Sequence, residues 1–198
     1  MIEDIILHNR KFVAERGYEP YETSKYPDKK LAILTCMDTR LTELLPAALG
    51  IRNGDAKIIK NAGGVISHPY GSAVRSLLVA ILELGVEEIM VIGHTDCGVQ
   101  GMDGEKMVAK LESRGIPKEH IDIIRKSGIS LEQWLGGFES AEEAVKESVE
   151  SLKNHPLMPK DIVIRGFMMD SVTGELSALS QFNPVKRCAA QYGLPDRE

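Results

Sequence analysis

The sequence is poor in the features that mark several large classes of protein. It has three cysteines, far apart in the chain, which do not make a disulfide scaffold. No apolar run approaches the ~20 residues of a membrane-spanning helix. The first residues, MIEDIILHNRK, lack the basic start and long apolar core of a signal peptide. We therefore expect a cytoplasmic protein with no membrane partner, in a reducing environment that keeps thiolates available to metal.

Positive charge is also in deficit. The 24 Lys and Arg residues are outnumbered by 29 Asp and Glu residues, and the net charge is -5 with no basic stripe. Nucleic acid is therefore not expected as a partner. The hydrophobic share of 43% and the charged share of 27% are typical of a soluble globular protein. The length of 198 residues predicts a single domain over 1–198.

Short apolar runs alternate with segments of helical periodicity, which predicts an α/β fold. The apolar runs are continuous, as in strands that are covered by helices on both faces, which favours a mostly parallel central β-sheet flanked by helices. The turn before the last predicted strand favours an antiparallel edge strand from a C-terminal hairpin. Strands are predicted at 31–35, 56–60, 88–93, 162–169 and 175–179; helices at 2–16, 41–49, 70–84 and 140–154; and two or three short helices within 101–135. The first helix has a narrow apolar stripe, so we expect segment 1–30 to pack on a partner subunit.

Cysteine and histidine occur where two predicted strands end. Cys36 follows one strand, and His94 and Cys97 leave another, three residues apart. Two thiols and an imidazole are three of the four ligands that zinc prefers, and the missing fourth indicates an open, catalytic site. Singly, each residue has an ordinary structural explanation; if the two strands are neighbours, the residues meet at the crevice where α/β sheets bind ligands. Cys188 has no such partner and is expected to be structural.

An acid and a base lie beside the first of these cysteines. Asp38 and Arg40 would usually be solvated surface residues. Next to a metal, however, Asp38 can become the fourth ligand and close the site. A two-pronged pair with Arg40 would hold the carboxylate off the metal and leave it to orient a water molecule. We therefore predict that both residues are catalytic.

These residues together resemble the signature of the β-class carbonic anhydrases. The similarity lies in Cys36-x-Asp38-x-Arg40, in His94-x-x-Cys97-Gly98, and in the loop 61–64 between them. It runs from about residue 31 to 98 and resumes at 166–176, and the chain length is similar to the short prokaryotic branch. One departure is Lys60, where the family often has arginine.

The resemblance implies fold, activity and partners. It implies one zinc ion per chain, held by Cys36, His94 and Cys97, with Asp38 and Arg40 as the dyad beside it. It implies the reversible hydration of carbon dioxide to bicarbonate and a proton, by a homodimer or an assembly of dimers. Two thiolate ligands cancel the charge of zinc, so we expect a weakly acidic bound water and activity that rises above neutral pH.

The sequence leaves several features open. His68 and His120 are candidate proton shuttles, although most surface histidines have no such role. A dinucleotide-binding domain is disfavoured because residues 98–104 spell GxxGxxG rather than GxGxxG. A cysteine phosphatase is excluded because Thr42 stands where its arginine is needed. A zinc protein without catalysis, and a hydrolase of a carbon dioxide analogue such as carbon disulfide, are the alternatives.

Overall fold

A five-stranded sheet forms the centre of the computed structural model, which describes residues 1–180. Its strands are β1 (Leu31–Cys36), β2 (Ala56–Asn61), β3 (Glu88–His94), β4 (Val163–Met169) and β5 (Leu176–Ala178). The spatial order is β2-β1-β3-β4-β5, with the first four strands parallel and β5 antiparallel to β4. The structure thus confirms the predicted mostly parallel sheet and its antiparallel edge strand. The prediction for Cys188 concerns a residue outside the described part of the chain.

Helices connect the strands much as the periodicity predicts. They are α1 (Ile2–Ala14), α2 (Leu41–Ala48), α3 (Ser72–Leu84), α4 (Gly104–Ser113), α5 (Lys118–Lys126), α6 (Leu131–Leu135) and α7 (Ala141–Lys153). Helix α3 begins two residues later than expected because the Gly71 N–H donates to the His68 carbonyl in a preceding turn. It ends at Gly85, whose φ of +71° is the left-handed conformation that glycine adopts without strain. At α7, the Ser140 side chain caps the first turn by accepting from the Glu143 N–H.

The alternation of side chains along the strands creates two separate apolar layers. Leu34 and Val91 face α3 and α7, whereas Ile33 and Ile92 face α2. All four of these strand residues are fully buried. Covering helices on both faces explain why the strands appear in the sequence as continuous apolar runs.

The N-terminal helix is an exception to this packing. No residue of α1 is buried, and Ile2 and Ile5 are largely exposed to solvent. Packing of this helix on a partner subunit stays a prediction. Across residues 1–180, no helix is both long enough and apolar enough to pass through a bilayer.

The strand order places a crevice next to β1. The chain passes from β1 to β2 on one side and then to β3 on the other, so the connections leave the carboxyl ends of β1 and β3 in opposite directions. Such a reversal opens a space at the carboxyl edge of a parallel sheet, which is where α/β proteins commonly bind ligands. The last residues of β1 and β3 are Cys36 and His94.

Candidate metal centre

Two cysteines and one histidine meet at this crevice. The ligand atoms of Cys36, His94 and Cys97 all lie within 4.8 Å of one another, and the two sulfurs are 3.9 Å apart. The His94 side chain is fully buried, and the cysteines are 4% and 6% exposed. The fold therefore brings residues up to 61 positions apart in the sequence to one point.

The protein holds the His94 ring in one orientation. Its Nδ1 lies 2.8 Å from the Thr95 carbonyl oxygen, which makes Nδ1 the protonated nitrogen. Thr95 is itself fixed, because its hydroxyl accepts from the Ser171 N–H at 3.0 Å and its own N–H donates to Met169. The other ring nitrogen, Nε2, is therefore left to act as the metal ligand. Such an outer hydrogen bond is the usual way of orienting a histidine ligand.

The environment of the sulfurs favours thiolate at Cys36. Burial raises the pKa of the Cys36 thiol, but the nearby His94 imidazole lowers it. Backbone N–H groups of Asp38 and Gly63 lower the pKa further, to about 7. Burial raises the pKa of Cys97, more than the backbone N–H of Val99 lowers it. A thiolate beside a thiol of raised pKa is a pair that a divalent cation would bind with release of a proton.

Asp38 and Arg40 form a two-pronged ion pair beside the cluster. Arg40 donates from Nε to Asp38 Oδ1 at 3.0 Å and from Nη2 to Asp38 Oδ2 at 2.8 Å, and its backbone N–H adds a third bond at 2.9 Å. These bonds hold the pKa of Asp38 well below its usual range, so the carboxylate is ionised. Asp38 Oδ2 also lies 3.9 Å from His94 Nε2. The carboxylate is thus adjacent to the candidate ligand atoms and is bound at both of its oxygens by arginine.

The glycine-rich segment after β2 is pressed against β1. Gly63 and Gly64 both have positive φ, at +85° and +67°, and both are buried. The Asn61 side chain closes the segment, because its amide donates to the Val65 carbonyl and accepts from the Val65 N–H. This packing brings the Gly63 N–H close to the Cys36 sulfur. The resemblance to the family includes this segment, but it does not predict the contact between the Gly63 N–H and the Cys36 sulfur.

Asp96 is a site residue that the sequence does not single out. It lies between His94 and Cys97 with a positive φ of +54°, and both its carboxylate and its carbonyl accept hydrogen bonds from Arg40. A charged residue in a tight turn is ordinarily solvated, so neither its type nor its position predicts this contact. The other candidates lie at the surface: His68, His120 and Lys60 are all exposed.

The chemistry of the cluster fits a zinc ion. His94 Nε2 is buried and has no hydrogen-bond partner among residues 1–180, which is costly unless a cation uses its lone pair. Two sulfurs and one imidazole nitrogen are the donor types that zinc prefers, and three protein ligands leave a fourth position open. The Asp38 carboxylate lies 3.9 Å from His94 Nε2, and its pair with Arg40 would oppose its binding to a metal held there.

Comparisons with known proteins agree with the geometry of the site. The family model described as carbonic anhydrase matches residues 31–176. A Bacillus subtilis (strain 168) protein named "Putative carbonic anhydrase YvdA" is 49% identical over 178 residues, covering 90% of each chain. A carbon disulfide hydrolase from Acidithiobacillus thiooxidans is 33% identical over 158 residues, covering 75% of this chain and 76% of that one.

The fold has solved relatives as well. The crystal structure of a beta-carbonic anhydrase, isoform I from Trichomonas vaginalis, superposes with a TM-score of 0.81 at 35% sequence identity. The match covers 90% of this chain and 96% of that one. The similarity thus extends over almost the whole of both chains.

Proposed function

This chain belongs to the β-class carbonic anhydrase family, and we propose that it is a zinc enzyme that reversibly hydrates carbon dioxide. The observation that carries the proposal is the cluster of Cys36, His94 and Cys97 with a restrained carboxylate beside it. A structural zinc site would use a fourth protein ligand. Here the carboxylate beside His94, that of Asp38, is instead bound at both oxygens by Arg40.

Each residue has a distinct part in the proposed reaction. Cys36, His94 and Cys97 would hold one zinc ion per chain. When bound, zinc would supply a water molecule of lowered pKa, and hence hydroxide, as the nucleophile for carbon dioxide. Asp38 is ionised and accepts hydrogen bonds, so it can orient that nucleophile toward the substrate carbon. Arg40 keeps Asp38 in this role by engaging both of its oxygens.

Hydrolysis of carbon disulfide is a second candidate function. The observation in its favour is the relative of that name, which is one third identical over three quarters of this chain. The two substrates are linear, apolar and attacked at carbon, so the same residues can serve either. Access to the crevice then determines which molecule reaches the site.

The assembly and the compartment are also proposals. We propose a homodimer in which the exposed apolar side chains of α1 pack on the second copy, because a 13-residue helix without one buried residue lacks a core of its own. A site that depends on two reduced cysteines fits a reducing compartment, and we propose the cytoplasm.

The decisive experiment measures zinc content and turnover on the purified protein. Carbon dioxide hydration is followed by stopped flow at pH 7 and pH 9, with carbon disulfide hydrolysis measured in parallel. The proposal predicts one zinc per chain and hydration that is faster at pH 9, because two thiolate ligands reduce the acidifying effect of zinc. Turnover of carbon disulfide alone would move the function to the second candidate. Full zinc with neither activity would indicate a non-catalytic zinc protein.

A further inference from the structure

The turn between His94 and Cys97 places a second acidic residue on the arginine of the dyad. Arg40 Nη1 donates to Asp96 Oδ2 at 2.9 Å, and Arg40 Nη2 donates to the Asp96 carbonyl at 2.8 Å. A guanidinium has five N–H donors. Asp38 takes two of them and Asp96 takes another two, so the guanidinium links the loop after β1 to the turn after β3.

We propose that Asp96 is a positioning residue, which fixes the Arg40 guanidinium so that Asp38 is held away from the metal. This inference rests on the proposed function, in which Arg40 keeps Asp38 off the metal; we call this pair the gate. It does not depend on which substrate the enzyme uses.

The backbone at Asp96 is part of the arrangement. Its φ of +54° lies in the left-handed region, which Asp and Asn enter more readily than most other residues. In this conformation both the carbonyl oxygen and the carboxylate of Asp96 reach one guanidinium. The residue therefore contacts Arg40 through two independent groups, and only the carboxylate can be removed by mutation.

Because the Asp96 side chain is exposed, its loss should change the position of Arg40 without a large change in the stability of the fold. Its side chain is 86% exposed, whereas that of Asp38 is 16% exposed. An ion pair so open to solvent contributes little to the stability of a fold. The orientation of the Arg40 guanidinium does depend on this pair, because Asp38 by itself holds the guanidinium along only one edge. Loss of the Asp96 carboxylate should thus affect the dyad far more than the free energy of unfolding.

Binding of azide to the cobalt-substituted protein tests the inference without relying on turnover. Cobalt reports through its visible spectrum whether an external anion can occupy the fourth position. Asp96→Gly and Asp96→Asn both tolerate positive φ, so neither should strain the turn. We expect Asp96→Gly to weaken azide binding by about fivefold, and Asp96→Asn by less, because a neutral amide still accepts a hydrogen bond. The melting temperature should stay close to that of the unmodified protein.

The direction of the change in azide affinity distinguishes movement of Asp38 from a simple effect of charge. Removing a negative charge beside the metal would by simple electrostatics strengthen azide binding. Weaker binding therefore means that Asp38 occupies the position more often. In an Asp38→Ala background, Asp96→Gly should have no weakening effect, because no carboxylate remains to close the site. Glu87→Ala is the matched control, since it removes an exposed carboxylate paired with Lys30 at the other end of β3.

Two outcomes would overturn the inference. Azide affinity that is unchanged or higher in Asp96→Gly would do so, as would an equal fall in the Asp38→Ala background. The Arg40→Ala variant distinguishes this failure from that of the gate itself. If Arg40→Ala weakens azide binding and Asp96→Gly does not, the gate stands and Asp96 has no part in it; if neither does, both proposals are wrong.

Discussion

Gly64 lies against the backbone of Cys36 so closely that a methyl group on its α-carbon would stand 2.6 Å from the Cys36 nitrogen. The carbonyl carbon of Thr35 would be only 2.7 Å away. Both neighbours are backbone atoms at the end of β1, so they cannot rotate aside. The position of Cys36 thus depends partly on the lack of a side chain at Gly64, in the loop that follows β2.

Gly64→Ala should therefore damage the metal centre as well as the fold. We expect a loss of about 2 kcal/mol or more in the free energy of unfolding, together with weaker zinc binding, because the clash moves Cys36. Gly50→Ala is the matched control: its φ is +63°, but nothing lies within 4 Å of the added carbon. That variant should lose only the ~1–2 kcal/mol of left-handed strain and keep its zinc. Urea unfolding and zinc analysis measure both quantities, and full zinc affinity in Gly64→Ala would contradict the prediction.

Arg40→Ala should shut the enzyme off without emptying the metal site. Released from its partner, Asp38 is free to bind the metal, and turnover should fall on the order of tenfold or more as the closed form becomes dominant. Zinc content should remain that of the unmodified protein, because none of the three proposed ligands is changed. Arg40→Lys should recover little, since an ammonium group cannot engage both carboxylate oxygens in a fixed plane. Normal turnover in Arg40→Ala would show that no gate exists.

A buried hydroxyl connects α7 to the segment after the glycine pair. Ser148 Oγ accepts from the Ile66 N–H at 2.9 Å and donates to the Ala144 carbonyl at 2.8 Å. Ser148→Ala would leave the buried Ile66 N–H without an acceptor, which should lower the free energy of unfolding by about 1–3 kcal/mol. Ser76→Ala is the control, because its hydroxyl donates only to the Ser72 carbonyl on an exposed helix face. Equal effects of the two substitutions in chemical denaturation would refute this argument.

Zinc affinity should fall as the pH falls, because protons compete for the ligands. The pKa of Cys97 is raised, so zinc displaces a proton from its thiol at pH 8. Below the Cys36 pKa of about 7 a second thiol proton must be displaced. The logarithm of the binding constant should therefore rise with pH with a slope of at least about one, and more steeply below pH 7. Competition with a chelator at pH 6, 7 and 8 measures the slope, with circular dichroism confirming the fold at each pH. A slope of zero would mean that the thiols are already ionised.

The order of elements was predictable because each depends on local pattern. Continuous apolar runs indicate strands buried on both faces, and the helices between them follow their own periodicity. Residues that end a strand, such as Cys36 and His94, can be placed at the carboxyl edge of a parallel sheet from this pattern alone. Their proximity also requires that β1 and β3 be neighbours, and strand order depends on the packing of the whole sheet.

Local periodicity is enough to indicate the fold class, and residue type and position at strand ends indicate the three candidate metal ligands and the Asp38–Arg40 pair. The support around these residues, by contrast, follows from tertiary packing. The hydrogen bonds from Arg40 to Asp96, and the contact of Gly64 with Cys36, join positions 56 and 28 residues apart. Aspartate in a turn and glycine in a loop are too common to indicate such contacts. They arise from the particular close packing of the folded chain, which no single segment of sequence specifies.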